Sequence, residues 1–203
     1  MALVNLLDED LLLWNKFRNG NADAFGELMR THYQDLFNYG TRFTKDDRLV
    51  KDCIQDLFLA LWMHRLSISD TSFIKYYLLK ALRHNLTRAI YRSRRRAEPS
   101  FEYLFNSTPP TDNSLIPHEH LADLTRKMRK VLAGLSRRQQ EILYLCFYMD
   151  ADTGETAEIM SLSPHYVDNL LQDALRRLRK ISSKHGKRRI YDPRRPGLFP
   201  YFS

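Results

Sequence analysis

Nothing in this sequence stays apolar for long: the hydrophobic runs are short and broken by charge, so no membrane span is expected. Basic residues are missing where a secretory signal would need them. Leu11, Leu12 and Leu13 follow Asp8, Glu9 and Asp10 instead, and export is not expected. Cysteine is scarce, with Cys53 and Cys146 the only two. They lie on apolar helical stripes in different halves of the chain, with neither metal-ligand nor redox spacing, which predicts reduced core thiols in a cytoplasmic protein. His118 and His120 have no Cys or further His nearby to complete a zinc set. No catalytic residue, cofactor or metal is therefore assigned, and an enzyme is not expected. Strand-like alternation never persists beyond a few residues, whereas apolar residues recur at helical spacing almost everywhere, so the chain is expected to be all-α.

Acid is the other conspicuous absence. From Phe73 to Arg96 there are eight basic residues (Lys75, Lys80, Arg83, Arg88, Arg92, Arg94, Arg95, Arg96) and no Asp or Glu. From Ile181 to Ser203 there are six against one acid, and the remainder of the chain is net −5 within an overall +8. Such segregation suits a polyanion-binding protein, since each phosphate neutralised releases a condensed counterion; a solvated basic face is the competing reading.

A first helix is expected to follow Asp8-Glu9-Asp10 and stop near Gly20, and a second to carry Phe25, Leu28, Met29, Tyr33, Leu36, Phe37 and Phe43 on one side. The third should begin near Asp46 or Asp47, acids suited to an N-terminal cap, and bury Leu49, Val50, Cys53, Ile54, Leu57, Phe58, Leu61 and Trp62. The fourth, about 73–96, takes its inward stripe from Ile74, Leu78, Leu82, Ala89 and Ile90. Four such helices can enclose one small core. Pro99, Pro109, Pro110 and Pro117 then mark a linker, although Phe101, Tyr103, Leu104 and Phe105 predict that part of it docks. Periodicity resumes at Leu121. Ser136 and Gln139 resemble a capping box opening a helix through Phe147, a short helix follows over about 155–160, and Ser163-Pro164 opens the last clear helix, to about Lys180.

The final two helices have the spacing of a helix-turn-helix, or equally of an ordinary helical hairpin. Val167, Leu170, Leu171, Ala174, Leu175 and Leu178 hold the second of them to its domain. Ser163 caps it, and His165, Tyr166, Asn169, Gln172, Arg176 and Arg177 face outward, able to meet base edges and phosphates. On the third helix Asp52, Gln55, Asp56 and Leu59 form a stripe opposite the buried one, either a solvated face or a surface for a protein partner.

Taken together these pieces resemble the sigma-70 family, in particular its small extracytoplasmic-function (ECF) group, which keeps only the second and fourth sigma domains. Asp52-Cys53-Ile54-Gln55-Asp56-Leu57-Phe58-Leu59-Ala60-Leu61-Trp62 is similar to the family's polymerase-core-binding helix. Tyr77 to Leu86 is similar to the element that melts and reads the −10 region; there, Asn85 and the preceding loop, about Arg65 to Ser72, match positions that help hold extruded bases, with Tyr76, Tyr77 and Tyr91 the available aromatics. Leu135 to Ile142, Ala157 to Ser163 and Ala174 to Arg179 are similar to the −35-reading domain. Leu78 stands where a Trp is frequent, Ala89 where an Asp is frequent and Ser161 where the turn usually has Gly. Asp168 and Asp173 occupy recognition-helix positions where Lys or Arg is common, which bears on how strongly and at what sequence −35 DNA is held.

The resemblance implies a transcription initiation factor of two all-α domains, 8–96 and 119–181, with a flexible linker at 97–118 and a basic tail at 182–203. It implies core-polymerase contacts through Asp52, Gln55, Asp56, Leu59 and Trp62. For −10 DNA it implies Lys80, Arg83, His84, Asn85, Arg88 and Arg92, and for −35 DNA Ser163, His165, Tyr166, Asn169, Gln172, Arg176 and Arg177. Its partners are then the RNA polymerase core, at its clamp and flap regions, promoter DNA and an anti-sigma factor. A stand-alone helix-turn-helix regulator and a degenerate sigma-like protein remain as alternatives. Asp173 is expected to pair with Arg177 four residues on, leaving the charge of Asp168 to reach the DNA surface.

Overall fold

The computed structural model describes residues 2–71, 73–94, 105 and 132–184. Among them every regular element is a helix: α1 (Ala2–Arg18), α2 (Ala22–Gly40), α3 (Asp47–Met63), α4 (Ile74–Arg94), α5 (Arg137–Phe147), α6 (Thr153–Met160) and α7 (Pro164–Lys184). The chain divides into two compact units, residues 1–100 with 158–161, and residues 101–157 with 162–203. Most of the linker and of the helix expected from Leu121, His118 and His120, and the tail beyond Lys184 lie outside the described residues.

In the first unit the helix starts follow local chemistry. Asn21 caps α2 by accepting from the Ala24 N–H at 2.8 Å, and Asp46 caps α3 by accepting from Leu49 N–H at 3.1 Å. Between α1 and α2 the chain turns at Gly20, whose φ of +86° is open to glycine at little cost. α2 packs on α1, α3 and α4, and α3 packs on α4. The core between them holds Trp14 and Phe17 from α1, Leu28, Leu36 and Tyr39 from α2, Val50, Ile54, Leu57, Phe58 and Leu61 from α3, and Ile74, Leu78, Leu79, Leu82, Leu86 and Ile90 from α4. Where α2 ends, backbones come close: a Cβ on Gly40 would stand 2.5 Å from Val50 Cγ1 and 3.4 Å from Leu86 Cδ1. Only glycine fits there without moving α3.

Two expectations for this unit are corrected. α1 begins at Ala2, so Asp8-Glu9-Asp10 lies within the helix rather than at its start. Met29 and Tyr33 are exposed; the apolar stripe of α2 is wider than the core it faces, and Tyr33 stacks on Phe37 at the rim.

In the second unit Ser136 and Gln139 form the expected capping box at α5, Gln139 N–H donating to Ser136 Oγ and Ser136 N–H to Gln139 Oε1. The buried Gln140 side chain donates to the carbonyls of Leu132 (3.0 Å) and Leu135 (3.1 Å), tying the preceding turn to α5. A further reciprocal pair opens α6: Glu155 N–H donates to Asp152 Oδ1 and Asp152 N–H to Glu155 Oε2, both at 2.7 Å. α7 packs on α5, with Leu171, Leu175 and Leu178 against the buried Leu135, Leu143 and Ala174. Phe105, from the expected linker, is fully buried with its ring 5.7 Å from that of Tyr144, so at least this aromatic docks as its composition predicted.

Candidate nucleic-acid and partner interfaces

α3 buries one face and leaves the other to solvent. Asp52, Gln55 and Asp56 are exposed, as is Leu59 at 53%. The same helical spacing continues to Met63, 74% exposed, and just past the helix to Leu66, 77% exposed. Neither was singled out from the sequence, although Met63 lies four residues after Leu59 and seven after Asp56. Trp62 differs from the other expected contact residues. It is half-buried, its ring 5.0 Å from Phe25 and 6.3 Å from Phe17, with the Arg65 guanidinium 4.6 Å above it, so a large part of its role is packing. Behind this face Cys53 is a free, buried thiol whose pKa is raised, chiefly by burial and then by Asp56 and Asp52; it stays protonated near neutral pH.

On α4 Tyr77, Lys80, His84, Arg88 and Arg92 are exposed along one side, and Asn85 is half-buried beside them. Arg83 does not join them. It falls in phase with Leu79, Leu86 and Ile90, all buried, and is itself only 6% exposed. Expected among the −10 DNA contacts, Arg83 is instead turned inward by its helical phase. Lys75 is also diverted, pairing with Asp35 of α2 at 2.9 Å. At the start of α4 Phe73 is exposed and stacks on Tyr76, while Tyr77 sets its ring edge-on to Trp14 at 5.7 Å.

α7 starts as its sequence predicts: Ser163 Oγ accepts from Tyr166 N–H at 3.3 Å and Pro164 takes the first helical position. Ser163, His165, Tyr166, Asn169, Gln172, Arg176 and Arg177 are all exposed. His165 and Asn169 hydrogen-bond to each other at 3.2 Å, and Arg138 of α5 donates to the Tyr166 hydroxyl at 3.4 Å. The acids behave differently from expectation. Asp173 pairs with Arg176 at 3.1 Å, one turn on, rather than with Arg177. Asp168 is half-buried, in phase with the partly buried Leu171 and Leu175. Its charge acts on Cys146 of α5, whose thiol pKa is raised first by burial and then, more weakly, by neighbouring acids including Asp168. The turn before α7 carries Ser161 at φ +55°, a left-handed conformation in which a Cβ is strained.

The chain is similar to known proteins in sequence and in fold. Residues 121–180 match the family model of sigma-70 region 4. Over 164 residues the chain is 25% identical to the ECF RNA polymerase sigma factor SigX of Bacillus subtilis (strain 168), covering 78% of this chain and 83% of that one. Residues 121–180 carry a sigma-70 region 4. Solved structures share the fold: CnrH, in complex with the cytosolic domain of CnrY, at a TM-score of 0.58 and 20% identity over 87% of this chain and 99% of that one. The sigma factor RpoE in complex with the anti-sigma factor NepR, from Bartonella quintana, gives 0.52 and 19% over 78% of this chain and 96% of that one. Among the described residues no helix is long and apolar enough to cross a membrane.

Proposed function

We propose that this chain is a sigma factor of the sigma-70 family, in its ECF group, that binds the RNA polymerase core through the outer face of α3 and promoter DNA through the outer faces of α4 and α7, directing promoter-specific initiation. The observation that carries the reading is the α3 face. Asp52, Gln55, Asp56 and Leu59 are exposed on the helix opposite a fully formed core, and the apolar surface continues through Met63 and Leu66. A stripe with acids at one end and exposed Leu and Met at the other has the composition of a partner surface rather than a solvated face. Half-buried Trp62 supports it from below.

For DNA, Lys80, His84, Arg88 and Arg92 present positive charge along α4, which carries no acid of its own, although Lys80 lies 3.7 Å from Glu158. Phosphate contacts of this kind set register, and Asn85 with the adjacent aromatics and the loop 64–71 serve the bases. Extruding a base costs a few kcal/mol, which stacking and hydrogen bonds must repay. On α7 His165, Tyr166, Asn169 and Gln172 meet base edges while Arg176 and Arg177 meet phosphate. Strand separation is then coupled to binding, and no residue need act as a catalyst. CnrH and RpoE, which share the fold, were solved with CnrY and with the anti-sigma factor NepR, and an anti-sigma partner is part of the reading for this chain.

Replacing Asp56 with Arg tests it. The substitution reverses charge in the middle of the exposed α3 stripe and touches no core side chain, so core-polymerase binding is expected to be lost with helical content unchanged. Core affinity within about threefold of the unsubstituted chain overturns the assignment.

A further inference from the structure

The loop that leaves α3 and enters α4 is fastened by a helix that itself presents no residue to the expected DNA surface. Residues 64–71, His64-Arg65-Leu66-Ser67-Ile68-Ser69-Asp70-Thr71, contain neither Gly nor Pro and no regular structure. α1 holds this loop at two consecutive residues. The fully buried Trp14 donates its indole N–H to the Ser69 carbonyl at 3.3 Å, and the Arg18 guanidinium pairs with the Asp70 carboxylate. Trp14 also meets Tyr77 of α4 edge-on at 5.7 Å, so one α1 side chain touches both the loop and the helix it leads into. Just past the same end of α1 the loop is close again, with Arg65 Nε 3.7 Å from the place a Cβ on Gly20 would occupy.

We infer that α1 is a brace for base recognition, and that Arg18 and Asp70 are positioning residues that hold the 64–71 loop in the shape that receives unpaired DNA bases. The inference rests on the −10 reading above and adds to it the device that preforms the loop. Arg18 and Asp70 have side chains 26% and 67% exposed, and an ion pair so open to water contributes little to the stability of the unit. Its effect falls on the loop instead. A polar loop without such ties samples many conformations, and each binding event must then bear the cost of ordering it. Tied at Ser69 and Asp70, it meets its ligand already ordered. Trp14 is too deep in the core to be varied without disturbing packing, whereas the ion pair can be removed and rebuilt at the surface.

The test uses the full chain assembled with core polymerase and a pool of single-stranded DNA carrying a randomised hexamer, read as the enrichment of preferred over average sequence. Arg18→Ala and, independently, Asp70→Asn are expected to reduce that selectivity by about threefold. The exchanged pair, Arg18→Asp with Asp70→Arg, is expected to restore most of it, which a change in general stability or net charge does not do. Unchanged selectivity in either single variant overturns the brace, as does a loss that the exchanged pair fails to recover. An unsubstituted holoenzyme that enriches no sequence overturns the −10 reading itself, and the brace falls with it.

Discussion

α4 and α7 both end in basic residues and both show a polar face to solvent, yet they are built differently. α4 is anchored by six fully or almost fully buried aliphatic side chains, Ile74, Leu78, Leu79, Leu82, Leu86 and Ile90. In α7, among the described side chains, only Val167 and Ala174 are buried, with Leu170, Leu171, Leu175 and Leu178 partly so. The charges differ in the same sense. α4 has no acid along its length, while α7 carries Asp168 and Asp173, the second paired with Arg176. Although Lys75 and Lys80 pair with Asp35 and Glu158 of other helices, a deeply anchored helix with no acid of its own is suited to gripping a flexible, highly charged strand. A shallowly seated helix whose charge is partly neutralised has to rely more on hydrogen bonds to bases, and less on phosphate.

That contrast is broken most directly by removing charge from each helix in turn. Replacing Arg88 and Arg92 with Ala is expected to weaken DNA binding across all sequences and to reduce the salt slope by about 0.7–0.9 for each phosphate no longer neutralised. Replacing Arg177 with Ala on α7 is expected to move the slope less. The check is a titration over a range of salt concentrations on one promoter fragment. If the α4 double variant keeps its slope, those arginines keep the chain soluble and do not hold DNA, and the contrast fails.

Much of this architecture was legible because caps are local. Asp46, the Ser136/Gln139 box and Ser163-Pro164 each satisfy backbone N–H groups within three residues, so the sequence carries them whole. The Asp152/Glu155 pair at α6 has the same spacing and was equally available to a reader looking for acids in place of Ser and Gln. Placement that depends on tertiary packing was not legible. Arg83 looked like one more cation in a basic run until its phase with Leu79, Leu86 and Ile90 put it inside. Met29 and Tyr33 have the periodicity of a core stripe, but α2 lacks a neighbour on that flank among the described residues wide enough to cover them. The brace from α1 was invisible for a different reason: Arg18 and Asp70 are 52 residues apart, and nothing local links them.

The seat of α7 gives the next prediction. Ser161, at φ +55° in the turn before it, holds left-handed backbone, where a Cβ is costly and glycine is not. Ser161→Gly relieves the strain but gives the unfolded chain more freedom, and the two effects partly cancel. A net gain of about 1 kcal/mol is expected, seen as a raised midpoint in thermal unfolding. A midpoint that falls would show that Ser161 is held there by something stronger than the turn geometry.

The smallest expected effect concerns the acid that makes α7 unlike α4. Asp173 and Arg176 are half and two-thirds exposed, at 50% and 66%, and an exposed pair one turn apart on a helix contributes only about 0.2–0.5 kcal/mol to folding. Its consequence for DNA is of the opposite sign. While Asp173 holds Arg176 at 3.1 Å, that guanidinium must exchange one partner for another to reach a phosphate, and the carboxylate left behind repels the backbone. Asp173→Ala removes both obstacles. Binding to upstream promoter DNA is therefore expected to tighten by a few-fold on every sequence alike, the salt slope to steepen towards that of α4, and thermal stability to drop slightly. Asp168 provides the control, because it lies half-buried in phase with Leu171 and Leu175, off the stripe that His165, Asn169, Gln172 and Arg176 define. Asp168→Ala should change affinity less than Asp173→Ala does. Titrations of both variants over a randomised −35 element decide between the two views of α7. A loss of affinity at a single base identity would mean that the acid reads a cytosine amino group, and the helix would then be specific because of its acids rather than weakened by them.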